Sequence, residues 1–256
     1  GLETRWYKSG EKKSEVPYKN GKQEGLMTGW YESGEKELEA HYKNGKPEGL
    51  ATIWFESGEK KIEVPYKNGK MEGMSTAWYE SGKKKGEIHY KNGKPEGPAI
   101  IFYESGNKQY ELQYKNGKKE GRATKWYEDG VKWREAHYKD GKLEGLETGM
   151  TLLGKYEIPW KNGKREGLAT SWYLFGKKHF ETHWKNSKRE GLDTYWYENG
   201  RKKSIEHFKD GLLDGMVTYW YSSGKKKSTS HYKNGIENGF RKEWGENGKL
   251  TFQGNF

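Results

Sequence analysis

The chain contains no cysteine. A disulfide framework, a thiol nucleophile and a thiolate-ligated metal are therefore excluded, and nothing reports the redox compartment. Aliphatic residues are also scarce: 30% of the 256 residues are hydrophobic, half of that share is aromatic (15%), and 33% are charged. A thick aliphatic core cannot be assembled from such a composition, yet twelve Trp, nineteen Tyr and eight Phe are too many for a disordered tail. Proline occurs only six times, and no apolar run approaches the length of a membrane-spanning helix. The first twenty residues, GLETRWYKSGEKKSEVPYKN, lack the apolar centre of a signal peptide. The chain opens on Gly1 in the middle of a pattern, so an upstream segment lost by processing or truncation is left open, and localisation with it.

What is present in excess is rhythm. YKNGKPEG stands at Tyr42 to Gly49 and again at Tyr90 to Gly97. The aromatic before this Lys-Asn-Gly recurs every 24 residues at Tyr18, Tyr42, Tyr66, Tyr90, Tyr114 and Tyr138; Trp160 follows after 22, and Trp184, Phe208 and Tyr232 resume the step of 24. Ten units with partial ones at both ends fill residues 1–256, read as a single repeat domain with an irregular short repeat at 146–160. Within the unit around Lys60 to Ser81, Asn68-Gly69 is suited to a two-residue hairpin turn, because both central residues need positive φ. Ser81-Gly82 closes the other end. Each unit reads as two antiparallel strands, and the chain as an all-β, elongated, single-layer meander of about twenty strands, on the order of 90–100 Å long before twist. A unit cannot stand alone, since ordering it costs roughly 1–2 kcal/mol per residue while each aromatic returns only about 1.5–3 kcal/mol.

With two-residue turns at both ends, Gly73 is expected opposite Val64 and beside Tyr90, so that Tyr rings lie over a glycine column running from Gly25 to Gly145. A three-residue second turn would reverse this facing. Pro17, Pro65 and Pro159 fall inside the first strand, where the missing donor marks a bulge or an unpaired site.

The segments YKNGKPEGLATIWFESG at Tyr42 to Gly58 and WKNGKREGLATSWYLFG at Trp160 to Gly176 resemble the MORN-repeat variant, in particular that of bacterial, YwqK-type antitoxin-like repeat proteins. The resemblance covers nearly the whole chain. It implies β-hairpin repeats and partner binding, and the antitoxin branch further implies a toxin to be neutralised. Glu stands before Gly where the eukaryotic repeat has His, and phosphoinositide binding is not carried over.

Candidate sites separate into rows and irregularities. His41, His89, His137, His183, His207 and His231 share one repeat position, but neighbouring units lie roughly 9–10 Å apart, whereas two imidazoles on one zinc each sit about 2 Å from it. No metal and no cofactor is expected. Catalysis needs a unique converging set of groups, and a ladder offers equivalent ones, so no catalytic residue is assigned and the chain is not read as an enzyme. The net charge of +11 is spread over interleaved cations and anions; nucleic acid is an unfavoured partner, and anionic lipid a possible one. Trp30, Trp54, Trp78, Trp126, Trp172, Trp196 and Trp220 form a row that is either the packing of the sheet or a platform for glycan at a cell surface or envelope. The main irregularity is LETGMTLLGKYEIPW at Leu146 to Trp160, which loses the polar turn for Leu152 and Leu153; one unit later the turn reads Leu174-Phe175. These four either form an exposed apolar patch for a protein partner or fold back over a kink in the shortened strand.

Overall fold

The computed structural model describes all residues from 1 to 256, in strands and turns with no helix. Its contacts gather into two units, Gly1–Val131 and Lys132–Phe256. Each unit is an open antiparallel meander of hairpins, the all-β array that the period implies. Twenty-nine strand segments occur instead of about twenty, because most returning strands are broken in two near their start.

The break has a local cause. Asn68 and Gly69 take φ of 51° and 80°, and positive φ recurs at both turn residues of every such hairpin, including Asn186-Ser187, where a serine holds φ of 64°. After this turn the register runs from Tyr66↔Met71 to Glu63↔Thr76, which places two extra residues on the returning strand. Gly73 therefore does not face Val64. It sits in a bulge at φ of 106°, while the Glu72 N–H donates to the Pro65 carbonyl at 2.9 Å. Proline thus lies beside an interrupted ladder, where a missing donor does least harm. At the equivalent Gly49, φ is 80° and an added Cβ would meet nothing within 4 Å, so the sign of φ rather than lack of room demands glycine there.

The second turn is longer than two residues. Tyr79 N–H donates to the Lys83 carbonyl at 2.8 Å, enclosing Glu80-Ser81-Gly82 with Gly82 at φ of 78°. Three residues alone would reverse the facing of every side chain beyond. A register shift between Ala77 and Trp78 adds one residue to the next strand and restores it, so Gly73 does pair with Tyr90.

Within each unit, two kinds of hydrogen bond recur between successive repeats. The carboxylate of Glu72 accepts the Asn92 N–H at 2.7 Å, and the same link joins Glu24 with Asn44 in unit 1 and Glu144 with Asn162 and Glu190 with Asp210 in unit 2. The Tyr79 hydroxyl donates to the Phe102 carbonyl at 2.8 Å, as Tyr7 does to that of Trp30 and Tyr221 to that of Trp244. The Glu-Gly and Trp-Tyr dipeptides are therefore fasteners between one repeat and the next.

In each unit one face of the sheet carries the buried apolar residues, small ones for the most part: Val16, Ala40, Ala99, Leu112 and Ala123 in unit 1, Ala136, Ala169 and Val217 in unit 2. On the opposite face Glu63 lies between Thr52 and Thr76, and the Lys60 ammonium sits 2.6 Å from its carboxylate. Such a layer buries little per residue, and hydrogen bonds between successive repeats supply what an aliphatic core does not.

Candidate functional site

The short repeat differs from its neighbours in turn geometry. Thr151 pairs with Gly154, Met150 with Lys155 and Gly149 with Tyr156, without a register shift. A two-residue turn, Leu152-Leu153, replaces the three-residue turn and its bulge, which accounts for the shortening. The Thr151 hydroxyl accepts the Leu153 N–H at 3.2 Å and donates to the Gly154 carbonyl at 3.1 Å.

The chain lies close against the next turn here. A Cβ on Gly154 would stand 2.2 Å from the Trp172 carbonyl oxygen and 2.8 Å from the Leu174 nitrogen. Backbone contact therefore brings the turns at 151–154 and 174–177 together. Their apolar side chains do not fold back over the shortened strand: Leu152 is 97% exposed, Phe175 87%, Leu174 63% and Leu153 56%. Rings buttress the second turn from below. Tyr173 lies 4.5 Å from His179, His179 5.4 Å from Phe180, and Phe180 6.1 Å from Tyr195, between ring centres. His179 occupies the repeat position where Lys13 and Lys85 cover Tyr7 and Tyr79; burial first, and then the Lys203 charge, hold its pKa below the ordinary imidazole value.

Beneath this edge, unit 2 places ionised groups where unit 1 has Leu38, Ala51, Ile62 and Ala123. Arg134 and Tyr156 both pair with Gly149 and arch over it toward Glu147. The guanidinium donates to both Glu147 oxygens, at 2.8 and 2.9 Å, and the Tyr156 hydroxyl donates at 3.1 Å. Glu147 is buried. Burial pushes its pKa upward, but hydrogen bonds and charge from Arg134 outweigh that and leave it below the usual carboxylate range. Burial and the Glu147 charge push Tyr156 up to about 12.

Two repeats on, Asp193 is fully buried in the column of Ala169 and Val217. Its Oδ1 accepts the His183 N–H at 2.9 Å, its Oδ2 has no hydrogen-bond partner, and the Arg189 Nε lies 3.6 Å away. Glu206 pairs directly across from it. Burial above all raises the Asp193 pKa from 3.8 to about 6. The folded state therefore binds this proton more tightly than the unfolded chain, so the associated stability is present below pH 3.8 and lost as pH rises through about 6. Asp193→Asn, which mimics the neutral acid, is expected to stabilise unit 2 at pH 7.5 by up to about 3 kcal/mol and to change little at pH near 4. Urea midpoints shifted equally at both pH values would contradict this.

The other rows are built into the sheet. All seven tryptophans of the row are half-buried. Lysines lie over several of them: Lys12 over Trp30 at 5.2 Å, Lys36 over Trp54 at 5.5 Å and Lys178 over Trp196 at 5.6 Å. The backbone carbonyls of Trp30, Trp54, Trp126, Trp196 and Trp220 accept the tyrosine hydroxyls. His183, His207 and His231 each direct Nδ1 at a carbonyl, 2.7 to 3.0 Å away, which makes that nitrogen the donor.

Sequence reasoning found the apolar turns through the broken rhythm but not the ionised column. Reading one repeat position down the chain, Ala99, Ala123, Glu147, Ala169, Asp193, Val217, would have exposed it.

A family model described as MORN repeat variant matches residues 1–20, 23–44, 47–68, 71–92, 95–116, 119–140 and 213–234. A second, described as MORN repeat, matches residues 160–173. Leu152, Leu153, Leu174, Phe175, Glu147 and Asp193 all lie outside these matches. No curated protein matches the chain.

Proposed function

We propose, from the premise that this chain belongs to the MORN repeat variant family, that it is a non-enzymatic scaffold capturing another protein on the edge formed by Leu152, Leu153, Leu174 and Phe175. Repeats of this family generally serve as scaffolds that bind proteins or membranes. The observation that carries the assignment to this edge is the exposure of four large apolar side chains on two turns whose backbones touch. Exposed apolar groups on an otherwise charged surface favour partner contact, and the rings of Tyr173, His179 and Phe180 hold the second turn in place. The resemblance to antitoxin-like repeat proteins makes a toxin the finer expectation for the partner.

Changing all four residues to serine is expected to abolish capture of the partner in affinity purification from the source cell, with the sheet intact by circular dichroism. Undiminished capture would reject the assignment. The reading of the Trp and Lys rows as a glycan or anionic-lipid platform has less support, because lysines already occupy faces of the rings.

A further inference from the structure

A gap opens in one row of side chains that crosses unit 1 from strand to strand. On the face that carries the buried residues, Ile53, Ile62, Ala77, Gly86, Ile101 and Tyr110 pair in succession, each with the next. Ala77 and Gly86, the two small members, stand side by side between Ile62 and Ile101. The result is a notch of about 220 Å³, with Ile62 and Ile101 as side walls. Along the strand of Gly86, Ile88 and Tyr90 bound it on one side and Lys85 on the other. Folding does not demand the glycine. Gly86 has no positive φ, and the same repeat position holds Leu38, Ile62 and Tyr110 elsewhere in the unit. The bulge beside Gly86 is no reason either, since the same bulge stands beside those three residues. A Cβ would meet the Ile100 carbonyl oxygen at 3.0 Å, a contact that a shift of a few tenths of an ångström relieves. Glycine inside a strand is destabilising, and where no bulge or bend calls for it the remaining reason is close approach by a ligand or another backbone.

We propose that this notch is a binding site for a small aromatic carboxylate, its ring lying on Gly86 between the two isoleucines and its carboxylate reaching Lys85. The floor and walls offer apolar contact and little else, since the Ser75 hydroxyl already donates to the Glu63 carbonyl at 3.0 Å. Mostly apolar walls with one group that fixes orientation are what a small-molecule site requires. The volume sets the size of the ligand. An apolar cavity of roughly 150 Å³ holds benzene, so this one admits a single ring or two fused rings. An extended alkyl chain would leave most of its carbons in water, because Tyr90 and Lys85 bound the notch along the strand. Lys85 supplies the charge. Its ammonium lies 5.3 Å from the centre of the Tyr79 ring and pairs with no carboxylate, whereas the adjacent Lys84 is held by Glu87. The site lies wholly in unit 1 and does not rest on the reading of the apolar edge.

Isothermal titration of the full chain with indole-3-acetate tests this. Saturable binding is expected, with a dissociation constant on the order of 1 mM or tighter for a ligand of this size. Ala77→Ile places in the notch the residue that Ile53 and Ile101 already provide at the same repeat position. It should weaken binding by at least about tenfold while the circular dichroism of the sheet is unchanged. Lys85→Gln leaves the walls intact and should weaken binding of the acid by about threefold to fivefold, the effect of one exposed charge. Binding of the neutral indole-3-acetamide should be weaker than that of the acid and indifferent to Lys85→Gln. No saturable binding, binding undiminished in Ala77→Ile, or an amide bound as tightly as the acid would overturn the proposal. So would octanoate bound as tightly as indole-3-acetate, since a ring would then not be what the notch selects.

Discussion

Gly154→Ala is expected to lower the stability of unit 2 by roughly 3–5 kcal/mol, in the range reserved for backbone strain and severe overpacking. The added Cβ would stand 2.2 Å from the Trp172 carbonyl oxygen and 2.6 Å from the Tyr173 carbonyl carbon, and neither is the movable end of a side chain. The φ of +140° is itself unfavourable for alanine. Gly176→Ala, one turn away, supplies the comparison: its φ is +81° but its Cβ would meet nothing within 4 Å. That change is expected to cost only about 1–2 kcal/mol, the penalty of the left-handed conformation. Urea unfolding of both variants measures the difference, and equal losses would show that close approach of the two turns contributes nothing. Gly154→Ala should also disperse the apolar edge, since the two turns can no longer touch.

Glu147→Ala is expected to cost unit 2 about 3–5 kcal/mol, because it leaves the Arg134 guanidinium partly buried and without its counter-charge. The pair itself is not a net source of stability of that size. Taking two charges out of water roughly cancels their attraction, so replacing both partners should be far milder than replacing one. Unit 1 supplies the replacements: Ile62 occupies the position of Arg134, and Ala123 that of Glu147. Arg134→Ile with Glu147→Ala should recover most of the loss, short of what the stranded Tyr156 hydroxyl forfeits. A double-mutant cycle reads this directly; a double variant as unstable as the single one would refute the account. The pH dependence runs opposite to that of Asp193. Glu147 has a lowered pKa, so its contribution is present above the ordinary carboxylate value and is lost as pH falls through the folded one.

The hairpin array was legible because its signals are local. Asn-Gly needs no distant partner to demand positive φ, and a period of 24 residues fixes where the demand recurs. The apolar turns were legible for the complementary reason, as breaks in an otherwise polar pattern. What stayed hidden depends on pairing across strands. The bulge at Gly73 follows from how far the ladder slips between Met71 and Thr76, and the restored facing at Tyr90 from one extra residue near Lys84. Neither can be counted along one strand. Nor could Glu147 and Arg134 be matched before Gly149 was known to lie between Arg134 and Tyr156. The split of the contacts at Val131 likewise has no marker in composition, since the rhythm continues through it unchanged.

The fasteners between repeats join each one only to its successor: Tyr31 reaches the carbonyl of Trp54, and Glu24 the amide of Asn44. Excising Lys36 through Glu59 would hand Tyr31 the carbonyl of Trp78 and Glu24 the amide of Asn68, chemistry identical to what was removed. Reach along the edge is thus a quantity that gene duplication or deletion can reset in whole steps, without a new core having to evolve each time.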